Sequence, residues 1–129
     1  MNRYVLSALC MAGLAGANAG ALPPEAPSIV RAAFGNTIVS IYPDGRRAEL
    51  WLNADGTYAA RGRRHDPSDG HWNVKDSRLC LRQAHPFSFP ISYCTQIPSD
   101  ASVRQWSGKA VTGENIQITL ASGRADAPG

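Results

Sequence analysis

Apolar and polar positions alternate one by one through most of the chain between residues 37 and 120. Ala48, Leu50 and Leu52 share one parity while Arg47 and Glu49 share the other. Trp72 and Val74 oppose His71, Asn73 and Lys75, and Leu79 and Leu81 oppose Arg78, Cys80 and Arg82. Ile91, Tyr93 and Ile97 oppose Ser92, Cys94 and Gln96, and Ile116, Ile118 and Leu120 oppose Gln117 and Thr119. A period of two puts successive side chains on opposite faces of a half-buried strand. The pattern predicts strands over 37–42, 47–53, 57–64, 71–75, 78–83, 91–97, 103–111 and 115–120. Between them lie Pro43-Asp44-Gly45-Arg46, Asn53-Ala54-Asp55-Gly56, Asp76-Ser77 and Thr112-Gly113-Glu114, turn formers because Gly accepts positive φ and Pro presets φ. Every connection is short and none carries an amphipathic helix, so consecutive strands pair as antiparallel neighbours. The expected architecture is all-β: an antiparallel meander of seven or eight strands, curled into a small closed or partly open barrel that removes its edges.

The ends of the chain follow different rules. Asn2-Arg3, the apolar run 5–15 and the small residues Ala17-Asn18-Ala19 read as a signal peptide over 1–19, cleaved before Gly20. The apolar run is too short to span a bilayer. Leu9 before Cys10 does not suit a lipid-attachment box. Residues 20–35 form a proline-rich leader (GALPPEAP) and a short helical turn, with Ser28 as its expected cap and Gly35 as its stop. Residues 36–121 make one β domain, and 122–129 read as a flexible tail.

Export changes the meaning of the composition. The formal charge of +3 loses Arg3 with the signal and falls to +2, too little for nucleic acid as a partner without a dense basic face. Cys10 leaves as well, so Cys80 and Cys94 remain as a pair in the oxidising periplasm or outside the cell. Both share the outward parity of their strands, and a bridge between them would stabilise by on the order of 3 kcal/mol. With no Cys-x-x-Cys pair, the bridge reads as structural.

Asn36-Thr37, Asp55-Gly56-Thr57-Tyr58, Gly70-x-Trp72-x-Val74, Leu79-Cys80 and Tyr93-Cys94 form an ordered pattern over residues 34–97. It resembles small exported domains of unknown function from Gram-negative bacteria and, more loosely, lipocalin-like or avidin-like antiparallel barrels. That resemblance implies a barrel and an envelope location. It implies no catalytic residue and no cofactor, and the vitamin-gripping residues of avidins have no counterparts here.

Three stretches carry candidate chemistry. His65-Asp66-Pro67-Ser68-Asp69-Gly70-His71 gathers two histidines, two carboxylates and a serine. It offers too few ordered ligands for zinc and no nucleophile elbow for Ser68, so turn bonding around Pro67 and Gly70 is the favoured reading. Arg61, Arg63 and Arg64 with His65 make a basic stretch suited to an anionic partner, and Trp51, on the parity of Arg47 and Glu49, reads as an exposed aromatic beside it. Trp106 breaks parity with Val103, which points to a bulge. Phe87 and Phe89 lie between Pro86 and Pro90, in the loop that the disulfide would span. The sequence therefore predicts a non-catalytic domain of the cell envelope that binds a protein or small anionic ligand through Arg61, Arg63, Arg64, His65, Phe87 and Phe89. It predicts no cofactor, metal, nucleic acid or stable membrane anchor. The alternatives are an inhibitor of a periplasmic or secreted enzyme, and a hydrolase or metal-dependent enzyme built on the His65–His71 segment.

Overall fold

The computed structural model describes residues 27–124; the expected signal peptide, most of the leader and residues 125–129 lie outside them. A six-residue helix, α1 (Ser28–Ala33), is followed by eight strands. They are β1 (Thr37–Ile41), β2 (Arg47–Leu52), β3 (Thr57–Arg61), β4 (Pro67–Lys75), β5 (Arg78–His85), β6 (Tyr93–Gln96), β7 (Gln105–Lys109) and β8 (Asn115–Ala121). All pair antiparallel in one sheet of order β6-β5-β4-β3-β2-β1-β8-β7, which curls into a nearly closed barrel. The meander is unbroken from β1 to β6. The one long-range ladder joins β1 to β8, with Ile38 opposite Leu120 and Ser40 opposite Ile118. No backbone ladder joins β6 to β7 among the described residues; the Tyr93 hydroxyl donates to the Lys109 carbonyl across that seam.

Parity decides what fills the barrel. Ile38, Leu52, Tyr58, Leu79, Ile116, Ile118 and Leu120 are buried in one cluster, with Leu50, Trp72, Val74, Leu81 and Trp106 packed against it. The indole Nε1 of Trp72 donates to the Asn53 carbonyl at 2.8 Å, so the half-buried ring packs on the core without leaving its polar atom unpaired. α1 buries Ile29, Val30 and Ala33 in the same cluster and stops one end of the barrel. Between helix and strands remains a cavity of about 10 Å³, lined by Ile29, Val30, Leu79, Ile97 and Trp106 among others. That is room for one water at most. The interior is packed side chain rather than a ligand chamber.

Several sequence expectations need correction. Ser28 does not cap α1: its Oγ donates to the Ser99 carbonyl at 3.3 Å and accepts from the Ala101 N–H at 3.0 Å, tying the helix to the β6–β7 connection. Gly35 does stop the helix, with φ at +80°. β3 ends at Arg61 rather than residue 64, and β4 begins at Pro67, so most of the expected polar loop is strand. Ile91 is not an inward strand residue but 74% exposed, because β6 starts only at Tyr93, after Pro90. Trp106 needs no bulge: Val103 lies before β7 in a turn closed by its N–H to the Asp100 carbonyl at 3.1 Å. The bulge is at Gly70, where the β4–β5 register shifts and an added Cβ would lie 2.0 Å from the Arg82 carbonyl oxygen.

Trp51 is a further correction. It has the expected outward parity, opposite Ala59, yet is only 1% exposed. Its Nε1 donates to Thr37 Oγ1 at 2.9 Å, and the Arg61 guanidinium lies 5.7 Å from its ring centroid. The Thr37 hydroxyl in turn donates to the Gly123 carbonyl at 2.6 Å, and Gly123 N–H donates to Asn36 Oδ1 at 2.9 Å. Residues 122–124 are thus tied into the fold rather than a loose tail.

Candidate functional site

The connections after β1, β3, β5 and β7 all emerge at the end opposite α1, because odd-numbered strands of an antiparallel meander run one way. Six large apolar side chains are exposed among the described residues, and five belong to this rim: Ile41, Phe87, Phe89, Ile91 and Val111. Val103 is the sixth and lies at the helix end. Scattered single exposures are ordinary, but gathered ones mark a contact surface.

The most built part of the rim is the segment 86–92, which continues from β5 and descends into β6. Phe89 N–H donates to the Gln83 carbonyl at 3.1 Å. Gln83 Nε2 donates to the Phe87 carbonyl at 3.0 Å, and Arg82 Nε donates to the Phe89 carbonyl at 3.3 Å. The two rings meet edge to face with centroids 5.1 Å apart, and Phe87 is 57% and Phe89 44% exposed. Cys80 and Cys94 stand directly opposite each other on β5 and β6 and are joined in a disulfide. The loop is therefore fixed at its base and along its length.

The basic stretch is divided by the fold. Arg61 stays on the barrel wall, its Nη1 3.5 Å from Glu49 and its guanidinium over Trp51. Arg63 bridges three rim loops: Nη1 bonds Glu114 Oε2 at 3.1 Å, Asp44 Oδ2 is 3.9 Å away, and the guanidinium sits 4.3 Å from the Tyr42 ring centroid. Thr112 Oγ1 donates to the other oxygen of Glu114. The Thr112 bond, then Arg63, holds the Glu114 carboxyl below its ordinary range, while burial holds the Tyr42 phenol above its own. Arg64 and His65 are exposed on the turn closed by Gly62 and Asp66, with His65 at φ +66°. Of the three arginines, only Arg64 keeps its donors free of intramolecular ion pairs among the described residues.

The His65–His71 segment is spread over a turn and both faces of β4. Ser68 and Gly70 oppose Ala60 and Tyr58, so they carry the inward parity, whereas Asp69 and His71 carry the outward one. Asp69 Oδ1 is 2.8 Å from Nδ1 of His85, not from His65 or His71. No group of three or more His, Cys, Asp or Glu placed to hold a metal occurs among the described residues. The structure brings together Arg64, His65, Phe87 and Phe89 at one end, and removes Arg61 to the wall. Sequence reasoning missed Ile41, Ile91 and Val111. Pro90 before Ile91 and Thr112-Gly113 after Val111 were the local signals that both lie outside strands.

The chain matches no family model, no curated protein and no solved structure with which it was compared.

Proposed function

We propose that this protein is an exported, non-catalytic binding domain of the cell envelope that docks a partner protein through the rim opposite α1. The observation that carries this reading is the gathering of Ile41, Phe87, Phe89, Ile91 and Val111 at one end of a barrel whose interior is filled. Apolar anchors held on a rigid loop lose little entropy on docking, which favours a surface over a chamber as the site of binding. A partner protein fits better than a small anion, because Arg61 and Arg63 spend their guanidinium groups on Glu49 and Glu114. Arg64 beside the apolar anchors adds a preference for an acidic edge on the partner.

The test places a photo-crosslinking amino acid at Phe89, and separately at Lys75 on the barrel wall, in cells that export the protein. A discrete adduct from position 89 and none from position 75 is expected. The same adduct from both positions, or from neither, overturns rim docking.

A further inference from the structure

We propose that the 86–92 loop is a reactive-site loop that inhibits a serine endopeptidase with a small primary specificity pocket, with Ser88–Phe89 as the bond offered for cleavage. This deepens the rim-docking reading and rests on it.

Three independent features converge on that bond. The first is which backbone groups are tied. The carbonyls on either side of Ser88, those of Phe87 and Phe89, accept from Gln83 Nε2 and Arg82 Nε. Ser88 itself is exposed, and neither its N–H nor its carbonyl has a partner among the described residues. An endopeptidase needs those two groups: the carbonyl oxygen enters its oxyanion hole, and the N–H pairs with the cleft backbone. The second feature is conformation. The chain bends at residues 86–87 and 90–91, and between the bends the Phe87 and Phe89 rings meet edge to face at 5.1 Å, so the segment that carries Ser88 is ordered before any partner arrives. Pre-ordering of this kind removes part of the entropy cost of fitting a cleft. The third is the bridge. Cys80 and Cys94 flank the bond, and each side continues into a paired strand, β5 before it and β6 after it.

That bridge gives the chemistry its direction. The protease serine Oγ attacks the Ser88 carbonyl carbon; a C–O ester bond forms and the C–N bond to Phe89 breaks. The proton of the serine hydroxyl passes through the protease histidine to the Phe89 nitrogen, which leaves as an amine. In an ordinary substrate that amine departs and water takes its place. Here the β5–β6 ladder, the disulfide and the Phe89 carbonyl bond to Arg82 keep the amine beside the ester. It attacks in reverse, restoring the peptide bond and the free serine. Ser88 as the specificity residue selects enzymes whose pocket takes a small side chain, as elastases do.

The purified full chain is titrated into pancreatic elastase, with residual activity read on a chromogenic substrate. Stoichiometric inhibition is expected. Ser88→Arg, at an exposed position, should lose at least tenfold against elastase and gain at least tenfold against trypsin, a switch that a merely structural serine cannot produce. Gln83→Ala and Arg82→Ala should be cut at Ser88–Phe89 at least tenfold faster than the wild type, seen as a mass gain of one water with the disulfide intact. Absence of elastase inhibition by the wild type, together with absence of trypsin inhibition by a folded Ser88→Arg protein, overturns the proposal. So does cleavage of the wild type as fast as the brace variants. An adduct from position 89 to a protein without peptidase activity overturns it too, while leaving rim docking in place.

Discussion

Trp51 is held by its bond to Thr37 Oγ1 and by the Arg61 guanidinium above its ring, on a face where alternation alone would put solvent. A tryptophan that is 1% exposed behaves energetically as core, whichever side of the sheet it occupies. Trp51→Ala should therefore cost about 3–5 kcal/mol in urea unfolding, comparable to Trp72→Ala, whereas exposed His71→Ala should stay within about 0.5 kcal/mol. A Trp51→Ala protein as stable as the His71→Ala one would show that the outer wall contributes nothing. Glu114 offers a residue-level test by pH. Its carboxyl is held below its ordinary 4.5 in the folded protein. A depressed folded value means that the stabilisation is present above the unfolded value and is lost as pH falls through the folded one. Wild type should accordingly melt higher than Glu114→Gln at neutral pH, and the two melting curves should converge once the pH drops below the folded value. A gap that persists in strong acid would assign the difference to something other than the carboxylate.

Among the elements, the β4–β5 pair shows how much of the fold alternation specifies. Its central register, Trp72 opposite Leu81 and Val74 opposite Leu79, follows from a period-two pattern in both strands. The upper part does not, because Pro67, Ser68, Asp69 and Gly70 lack apolar alternation and carry turn-forming residue types. They are strand all the same, since β3 offers a ladder there, Ala60 opposite Ser68 and Tyr58 opposite Gly70. Tertiary pairing overrides local preference. The same limit explains the candidate site. The loop between Pro86 and Pro90 was readable from its prolines, and its place at the end shared with the β3–β4 turn was readable from strand count. The tying down of Arg63 was not, because its ion pair to Glu114 spans 51 residues and needs the long-range β1–β8 pairing, whereas Arg61 and Glu49 simply face each other across the β2–β3 hairpin. Gly70 is the position where this element is least tolerant. An added Cβ meets backbone rather than a movable side chain, so Gly70→Ala should force the bulge apart and destabilise by more than the usual 0.5–3 kcal/mol of a point change. Neutral behaviour of that variant would mean that the two strands separate at no cost.

For the whole molecule, the division of labour between its two ends is the property to test. The helix end contributes Ile29, Val30 and Ala33 to the single core cluster, so changes there are felt as stability. The rim end leaves Phe87, Phe89, Ile91 and Val111 in solvent, so these residues contribute little to the folded state and expose apolar surface that water disfavours. Replacing all four by Ser should leave the urea midpoint within the range of ordinary surface changes, about 0.5 kcal/mol per site, and should raise solubility. With the photo-crosslinking residue kept at position 89, Ser at the other three positions should abolish the adduct, because those anchors are gone while Arg64 remains. Ile29→Ala with Val30→Ala should do the opposite: a loss of roughly 2–5 kcal/mol for each well-packed side chain, with the rim adduct retained under conditions where the protein is still folded. If the rim variant unfolds like the helix variant, those four side chains belong to the core and the barrel has no docking end.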